Sequence, residues 1–359
     1  MGNLKVHDKL DIQAGGQAEV LDEFGSGGQG TVYKVSYNGK TYALKWYHPG
    51  VFKGKENDFY KNLENNISNG APTDAFLWPK AITKVYNDQF GYLMDVRPSG
   101  YEELTNFFVG GRKQKQARFK SFYALCTAAI NIIEAFRALH NNGYSYQDIN
   151  NGNFFINPEN GDVLICDNDN VSPFGTNLGI MGKQRWMAPE IVMGKNDPDK
   201  NSDRFSLAVV LFRLLFINHP LEGRYSTPPC MTKEAEQKYY GSAPIFVYDP
   251  STSENRPIPG TDHNLKLFWN VYPDYVKEAF IRAFSHDVMM KQKPRILEKE
   301  WLDIFIRLRT EIGRCPHCGQ ETFYTFRGSH DIPCMECSKK ISIANALQIK
   351  NQILLSSPA

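Results

Sequence analysis

The sequence predicts an α+β fold with two lobes followed by a small cysteine-rich module. Three observations predict it: alternating strand patterns run from about Val20 to Met94, helical periodicity follows beyond Tyr101, and four of the seven cysteines lie as two pairs near the C-terminus. The length of 359 residues suits two lobes and an accessory module. We divide the chain into an N-terminal extension (1–19), an N-lobe (20–95), a C-lobe (96–310) with an insertion at about 218–264, a cysteine module (311–343) and a C-terminal tail (344–359).

Composition and charge argue against several function classes. Hydrophobic residues make up 42% and charged residues 22%, which is ordinary for a globular protein and argues against disorder. The formal charge is only +2, so the whole chain gives no electrostatic case for binding nucleic acid or an anionic membrane. The N-terminus lacks an apolar signal core, and no run approaches the roughly 18 apolar residues that span a bilayer. We therefore expect a cytoplasmic protein without a membrane partner.

The first predicted elements of the N-lobe are a hairpin and a helix. Residues 31–37 and 40–46 alternate in the manner of strands, and Asn38-Gly39 between them is the strongest short signal for a tight turn. These residues predict two antiparallel strands. A helix is predicted at about 57–67, and further strand patterns continue to Met94.

A glycine-rich loop precedes the hairpin, with the pattern G-x-G-x-x-G at Gly25, Gly27 and Gly30. The same letters occur in dinucleotide-binding folds, but there the last glycine opens a helix, whereas residues 31–36 alternate as a strand. Glycines allow a hairpin backbone to approach phosphates closely, and Lys45 in the second strand places a positive charge beside them. The alternative is a glycine-rich surface turn.

Lys45 stands in an apolar strand and needs a carboxylate partner, because an unpaired buried ammonium group is costly. Two glutamates at the predicted helix are candidates. We choose Glu64 and keep Glu56 as its rival. The sequence therefore predicts an ion pair between the second strand and this helix.

The C-lobe is predicted to be mostly helical. Apolar residues recur at helical spacing over 119–140, and residues 206–216 form a nearly all-apolar segment typical of a buried helix. The segment 218–264 is rich in Pro, Ser, Thr and Tyr, which favours a long loop or insertion.

Three polar residues of the C-lobe form the predicted catalytic group. Asp148 and Asn153 are spaced as Asp-x4-Asn, and Asp167 follows 14 residues later, after the strand-like residues 163–165. Phosphoryl transfer needs a carboxylate that orients the acceptor hydroxyl and receives its proton, together with an amide and a second carboxylate that hold magnesium. Each residue alone is unspecific, because Asp and Asn are common in loops. The order of the motifs along the chain carries the weight.

That order, followed by Ala188-Pro189-Glu190 and Asp203, resembles the eukaryotic-type protein kinase family over about residues 20–310. The resemblance implies a bilobal protein-kinase-like fold that binds ATP between the lobes and phosphorylates serine or threonine in a protein substrate. It implies Lys45 and Glu64 as the phosphate-positioning ion pair, Asp148 as the catalytic base, and Asn153 and Asp167 as Mg²⁺ ligands. Further nucleotide contacts are implied at Gly25, Gly27, Gly30, Val32, Ala43, Met94, Asp95 and Val96.

The resemblance also gives roles to two charged residues of the C-lobe. Asp203 is expected to anchor the catalytic loop from inside the lobe. Glu190 is expected to pair with a cation late in the lobe. The arginine usual there looks replaced, and Lys293 is the nearest match.

The chain departs from the family pattern at three places. Gln147 replaces the arginine that usually binds a phosphate on the activation segment, so we expect activity without phosphorylation of that segment. Asn168-Asp169 replaces Phe-Gly, which argues against regulation by flipping this segment; Asp169 is either a further metal contact or a solvated loop carboxylate. Asn150 replaces the lysine that contacts the transferred phosphate in serine/threonine kinases, which puts the rate and the hydroxyl substrate in doubt.

The cysteine module carries a strong signal of its own. Cys315, Cys318, Cys334 and Cys337 form C-x2-C, a 15-residue spacer and a second C-x2-C, which matches structural zinc sites. Four thiolates fill a tetrahedral coordination sphere, so the predicted Zn²⁺ is structural rather than catalytic. A hairpin strand is expected at 322–326, between the two pairs. Such zinc ribbons serve either as protein docking modules or as nucleic-acid binders.

The sequence leaves four hypotheses open. The first is an active protein kinase whose zinc ribbon recruits a partner or substrate; the chain looks like bacterial eukaryotic-type kinases that end in a zinc ribbon and are paired with a metal-dependent phosphatase and a von Willebrand A-type domain protein. The second is a pseudokinase scaffold that binds nucleotide without catalysis. The third is a small-molecule phosphotransferase, although Ala188-Pro189-Glu190 favours a peptide-substrate platform. The fourth is a nucleic-acid-binding regulator, which the near-neutral net charge disfavours.

Overall fold

The structure, a computed structural model, describes residues 3–109, 116–228, 230–324, 331–334 and 336–342. The tail predicted at 344–359 and the end of the strand predicted at 322–326 lie outside the described residues.

The N-lobe is built on a six-stranded antiparallel sheet with the strand order β1-β2-β3-β4-β6-β5. The predicted hairpin is confirmed: Asn38 and Gly39 join β3 to β4 with φ angles of 49° and 74°, a left-handed conformation that Asn and Gly adopt readily. A single helix, α1, follows β4. The elements of this lobe are β1 (Lys9–Asp11), β2 (Gln17–Ser26), β3 (Gly30–Tyr37), β4 (Lys40–Tyr47), α1 (Glu56–Asn69), β5 (Ala81–Ile82) and β6 (Gly91–Met94).

The residues predicted as an N-terminal extension (1–19) contribute to the N-lobe itself. Strand β1 pairs with β2, with Lys9 opposite Glu19. Leu4, Leu10 and Ile12 are buried in one cluster with the apolar residues of β2 and β3. The lobe therefore begins before residue 20, because these side chains complete its apolar core.

The C-lobe is mainly helical, and the helices predicted at 119–140 and 206–216 correspond to α3 and α5. Its helices are α2 (Thr105–Phe108), α3 (Phe122–Asn141), α4 (Pro189–Val192), α5 (Lys200–Phe216), α6 (Lys233–Gln237), α7 (His263–Trp269), α8 (Asp274–Ala283), α9 (His286–Met289) and α10 (Glu298–Thr310), with a 3-10 turn at Asn168–Asn170 and a π-helical turn at Lys238–Ser242. Two small sheets, ordered β10-β9-β7 and β11-β8, are formed by β7 (Glu102–Glu103), β8 (Tyr144–Ser145), β9 (Phe154–Ile156), β10 (Val163–Ile165) and β11 (Ser172–Pro173).

Helices α3 and α5 lie at the centre of the C-lobe core. The side chain of Asp199 caps α5 by accepting hydrogen bonds from the backbone N–H groups of Asn201 and Ser202, and most residues of the helix are buried. Helix α3 is long and apolar enough to cross a membrane by length and composition alone. However, 61% of its most apolar window is buried inside the protein, as in the core helix of a globular lobe.

The described part of the cysteine module contains two hairpins. The first pairs β12 (Ile312–Arg314) with β13 (Glu321–Phe323), and the second pairs β14 (Asp331–Pro333) with β15 (Lys340–Ser342). The Phe323 ring packs against the rings of Phe122 and Tyr272, with centroids 5.3 and 5.4 Å away. A carboxylate oxygen of Glu321 accepts a hydrogen bond from the backbone N–H of Phe122. The first hairpin is therefore docked on the C-lobe beside the start of α3.

Candidate active site

The glycine-rich loop between β2 and β3 forms the roof of a cleft between the lobes. The cleft has a volume of about 870 Å³, and Gly25, Gly27 and Gly30 line it together with Lys45, Asp148 and Asp167. A Cβ on Gly30 would collide with the carbonyl oxygen of Trp46, so the close approach of β3 to β4 requires glycine there. The structure thus brings the loop, the lysine and both predicted carboxylates to one space.

The residues predicted to contact a nucleotide base share an apolar cluster beside this cleft. Val32, Ala43, Met94 and Val96 belong to it, and Ala43 lies opposite Met94 in the pairing of β4 with β6. The side chain of Asp95 differs, because it is half-exposed and pairs with Lys80 at 2.6 Å. Any contact of Asp95 with a nucleotide is therefore left to its backbone groups.

The predicted ion pair of Lys45 with Glu64 is not formed. Among the described residues, the Lys45 ammonium group bonds to Asp169 at 2.9 Å, to Asp167 at 3.2 Å and to the side-chain oxygen of Gln29 at 3.0 Å. Glu64 instead accepts a hydrogen bond from the side chain of Gln13. The partner of the lysine is thus carried by the segment after β10, and not by α1.

The buried face of α1 explains the absence of a helix partner. It consists of Phe59, Asn62, Leu63 and Asn66, with no carboxylate among them. The amide groups of Asn62 and Asn66 both donate to the carbonyl oxygen of Val171, at 2.8 and 2.9 Å. The helix is therefore fixed to the segment after β10 by amide hydrogen bonds, and its acidic residues lie off this face.

Asp169 is neither the metal contact nor the solvated loop carboxylate that the sequence suggested. Its side chain is 1% exposed and accepts hydrogen bonds from the hydroxyl groups of Tyr47 at 2.6 Å and Tyr92 at 3.1 Å. Burial alone would raise the pKa of Asp169, but Lys45 and the Tyr47 hydroxyl hold that pKa below its usual value. Burial likewise opposes the charge of Lys45, yet Asp169 and Asp167 raise its pKa. Lys45 and Asp169 therefore form an ionised pair. The Asp169 carboxylate binds the ammonium group of Lys45 and the hydroxyl groups of Tyr47 and Tyr92.

The catalytic loop presents Asp148 at the floor of the cleft. The Asn150 side-chain amide donates to the Asp148 carboxylate at 3.1 Å, and the Asn153 amide donates to the Asp148 carbonyl oxygen at 2.9 Å. Burial raises the pKa of Asp148 to about 6, against the lowering effect of the Asn150 hydrogen bond. The group is thus ionised near neutral pH but basic enough to accept a proton.

The loop is anchored from below by Asp203. Its two carboxylate oxygens accept hydrogen bonds from the backbone N–H groups of Tyr146 at 2.7 Å and Gln147 at 2.9 Å. His140 lies against the same carboxylate at 3.1 Å and against Glu298 at 2.8 Å. Burial would lower the pKa of His140, but hydrogen bonds to these two carboxylates raise it above its ordinary value.

Gln147 ties the catalytic loop to the activation segment, which we define as residues 167–190. Its side-chain amide nitrogen donates to the hydroxyl oxygens of Ser145 and Ser172, at 3.0 and 2.8 Å, and to the carbonyl oxygen of Thr176 at 2.8 Å. Strand β11 pairs with β8 at the same place. A neutral amide therefore holds the segment by direct contacts, where the family pattern has an arginine that binds phosphate.

The partner predicted for Glu190 is also wrong. Glu190 pairs with both nitrogens of the Arg295 guanidinium group, at 2.8 and 2.7 Å, and both side chains are buried. Lys293 lies at the surface and pairs with Asp287 at 2.7 Å. The forked guanidinium group matches a buried carboxylate with two parallel hydrogen bonds, which a single ammonium group cannot do.

Comparison with known proteins identifies this arrangement. The family model of the protein kinase domain matches residues 18–243, which is more than half of the chain. The chain belongs to the protein kinase family. The kinase fold accounts for the sheet of the N-lobe, the helices of the C-lobe and the cleft between them.

Relatives of the kinase are similar over just over half of its length. Two are from Dictyostelium discoideum: the probable serine/threonine-protein kinase kinX, 26% identical over 210 residues, and the probable serine/threonine-protein kinase DDB_G0272092, 29% identical over 202 residues. The serine/threonine-protein kinase SCH9 of Candida albicans is 26% identical over 200 residues. The alignments cover 55%, 54% and 53% of this chain. They span only 18%, 19% and 24% of the relatives' own lengths.

The residues predicted to hold magnesium fit that ion. Asp167 has a left-handed φ of 55°, and its side chain is 37% exposed at the cleft. The amide nitrogen of Asn153 donates a hydrogen bond to the Asp148 carbonyl oxygen, and its amide oxygen has no hydrogen bond among the described residues. A carboxylate and an amide oxygen are hard ligands of the kind that Mg²⁺ prefers.

The four cysteines of the kinase's C-terminal module form one cluster. Their sulfur atoms all lie within 4.8 Å of one another, with Cys315 and Cys337 3.8 Å apart and Cys318 and Cys334 3.7 Å apart. A tetrahedron of sulfurs at about 2.3 Å from a zinc ion has edges of about 3.8 Å. None of the four forms a disulfide. The donor set and its spacing therefore fit Zn²⁺.

Proposed function

We propose that the chain is a Mg²⁺-dependent serine/threonine protein kinase that transfers the γ-phosphate of ATP to hydroxyl groups of a protein substrate. The observation that carries this proposal is the gathering of Lys45, Asp148, Asn153 and Asp167 under one glycine-rich loop. The serine/threonine kinase names of its relatives support the hydroxyl class. Asn150 is the main departure from that class.

Each residue has a task that its surroundings support. The glycine-rich loop and Lys45 bind and orient the phosphates, and Asp167 and Asn153 would hold Mg²⁺, which neutralises phosphate charge when bound. Asp148 orients the acceptor hydroxyl and receives its proton, and its pKa of about 6 suits a base at neutral pH. Asp203 and Gln147 hold the catalytic loop and the activation segment in place without a phosphate.

Transfer of label from γ-labelled ATP tests the proposal. Wild type, Asp148→Asn and Asp167→Asn are compared for autophosphorylation and for labelling of a generic protein acceptor. The exposed Asp197 offers a matched control as Asp197→Asn. We expect label with wild type and the control but with neither cleft variant. Wild type that binds ATP without transferring label contradicts the proposal and favours a pseudokinase scaffold.

A second experiment separates a protein kinase from a small-molecule phosphotransferase. The end of the activation segment favours a protein substrate. Trp186 and Ala188 are buried in the C-lobe core, and Glu190 follows them with its partner Arg295, so this part of the segment has a rigid base. A panel of aminoglycosides and choline-like alcohols is offered with ATP under the same conditions. Phosphorylation of one of them, with no labelled protein, contradicts the protein class.

We also propose that the four cysteines bind a structural Zn²⁺ and that the resulting ribbon is a docking module. The spacing of the sulfur atoms supports the metal. Partners to be tested are a metal-dependent phosphatase and a von Willebrand A-type protein, in a cytoplasmic setting. We expect one zinc per chain by elemental analysis of wild type and none for Cys315→Ser/Cys334→Ser, with Cys230→Ser as control. Absence of zinc from folded wild type contradicts this part.

A further inference from the structure

The catalytic loop lacks the positive charge that a transferred phosphate requires. Asn150 stands where serine/threonine kinases usually have a lysine, and its side chain is fully used within the loop. The amide nitrogen donates to the carboxylate and to the carbonyl oxygen of Asp148, both at 3.1 Å, and the amide oxygen accepts from the Gly152 N–H at 3.0 Å. Asn150 therefore positions Asp148 but contributes no charge.

Among the described residues that line the cleft, two carry positive charge: Lys45 and Lys183. Lys45 is already paired with Asp169 and Asp167. Three carboxylates line the same cleft, at Glu103, Asp148 and Asp167. Lys183 is the lining cation that has no carboxylate within ion-pair distance in the described part of the chain. Its positive charge is available to an anion in the cleft.

The backbone of Lys183 is fixed against the catalytic loop. The preceding Gly182 has a φ of 87°, and a Cβ there would lie 3.1 Å from the Gln147 carbonyl oxygen. Only glycine allows the activation segment to come this close to the loop. The start of the Lys183 side chain is therefore held beside the loop that carries Asp148.

The end of the same side chain lies over the catalytic loop. The Lys183 ammonium group donates to the side-chain oxygen of Asn151 at 3.1 Å. This oxygen is neutral, so the charge of the ammonium group is not cancelled. The Lys183 side chain is exposed, so its ammonium group is free to move toward a phosphate bound in the cleft.

We propose that Lys183 is a catalytic residue of this kinase, which supplies from the activation segment the positive charge that Asn150 does not supply from the catalytic loop. The inference rests on the proposed function. In the reaction, a bond forms between the acceptor oxygen and the γ-phosphorus, while the bond to the bridging oxygen breaks and its electron pair leaves with ADP. The hydroxyl proton goes to Asp148. Lys183 keeps its proton and neutralises the nonbridging oxygens of the group in transfer.

Kinetics of charge variants test the role of Lys183. We expect Lys183→Met to lower kcat about 100-fold, as removal of one donor to transition-state charge does in other enzymes. Lys183→Arg retains the charge and should keep most of the activity. The exposed Lys195 provides the control Lys195→Met, which we expect to behave as wild type.

Relocation of the charge is the sharpest arm. The double variant Asn150→Lys/Lys183→Met places an ammonium group back on the catalytic loop. We expect its kcat to be at least about tenfold higher than that of Lys183→Met. A binding readout accompanies it. Lys183→Met should weaken binding of a nonhydrolysable ATP analogue in calorimetry but leave ADP binding unchanged, because only the triphosphate places a phosphate beside Lys183.

Three results overturn the inference: kcat of Lys183→Met within twofold of wild type, a change confined to KM for the protein acceptor, or equal weakening of ADP and triphosphate binding. The second of these would make Lys183 a substrate-docking residue. Failure of the inference is distinguishable from failure of the proposed function. Wild type that transfers no label overturns the proposed function, whereas active wild type that tolerates Lys183→Met overturns the inference alone.

Discussion

Two buried ion pairs, one inside the C-lobe and one between the lobes, differ in how firmly their charges are held. In the C-lobe, Arg295 gives two short bonds to Glu190 across 105 positions of sequence. In the cleft, Lys45 pairs with Asp169 across 124 positions, but it divides its charge with Asp167 and Gln29. In the first pair, each carboxylate oxygen of Glu190 faces one guanidinium nitrogen of Arg295. The second is arranged around a lysine that also faces the nucleotide space.

The Lys45 pair does not depend on the position of α1. The Lys45 partner is Asp169 in the activation segment, so displacement of α1 does not by itself break the pair. Helix α1 is in turn fixed by Asn62 and Asn66 to Val171, four residues after Asp167. Control by swinging a glutamate on this helix is therefore not built into the described structure.

The largest effect is expected from breaking the C-lobe pair. Arg295→Ala leaves the Glu190 carboxylate buried without its partner, which costs about 3–5 kcal/mol of the free energy of unfolding. Urea denaturation followed by tryptophan fluorescence measures it. Lys293→Ala is the control, because its pair with Asp287 is exposed to solvent and contributes little to stability. Equal losses for the two variants would show that Arg295 has no special role.

The cleft pair should affect catalysis more than stability. Asp169→Asn removes the main carboxylate of Lys45 and leaves the lysine to Asp167, so we expect kcat/KM to fall by about 30- to 150-fold, or about 2–3 kcal/mol. The control Glu64→Gln should change it less than about twofold, since Glu64 contacts Gln13. Initial rates at several ATP concentrations measure both. A greater loss for Glu64→Gln would restore the helix glutamate as the partner.

A smaller effect is expected from pH, because the carboxylates of Asp148 and Asp169 have opposite pKa shifts. Asp148, with its pKa raised to about 6 by burial, must be ionised to accept a proton, so kcat/KM should rise with pH through about 6 and then level off. Asp169, with its pKa held low by Lys45, stays ionised throughout that range. Asn150→Ala removes a hydrogen bond that lowers the Asp148 pKa, so the rise should move to higher pH. Equal rates at pH 5 and pH 8 would contradict the assignment of Asp148 as base.

The smallest effect is expected at the activation segment. Thr176→Ala and treatment of wild type with a phosphatase should change the initial rate by less than about twofold, because Gln147 holds the segment through neutral hydrogen bonds. Gln147→Ala is the matching positive change and should lower the rate. A strict need for phosphate on Ser172 or Thr176 would contradict this picture.

Much of the fold and of the site could be predicted from short sequence motifs. Asn38-Gly39 predicts the hairpin because these two residues tolerate left-handed φ angles, and the order of Gly25, Lys45 and Asp148 along the chain indicates the family. The cysteine spacing predicts a cluster because each C-x2-C turn brings two sulfurs together. In each case the deciding contact is between neighbours in sequence, or the motif itself carries the information.

The tertiary structure alone decided which charges pair. The sequence shows that a charged residue in an apolar segment needs a partner, because an unpaired buried charge is costly. It does not show which residue is the partner, since that depends on which side chains the folded core brings together. Lys45 took Asp169 because the inner face of α1 carries Phe, Leu and Asn side chains and no acid. Glu190 took Arg295, two residues beyond the lysine chosen from the sequence, because only a guanidinium group could satisfy both buried oxygens.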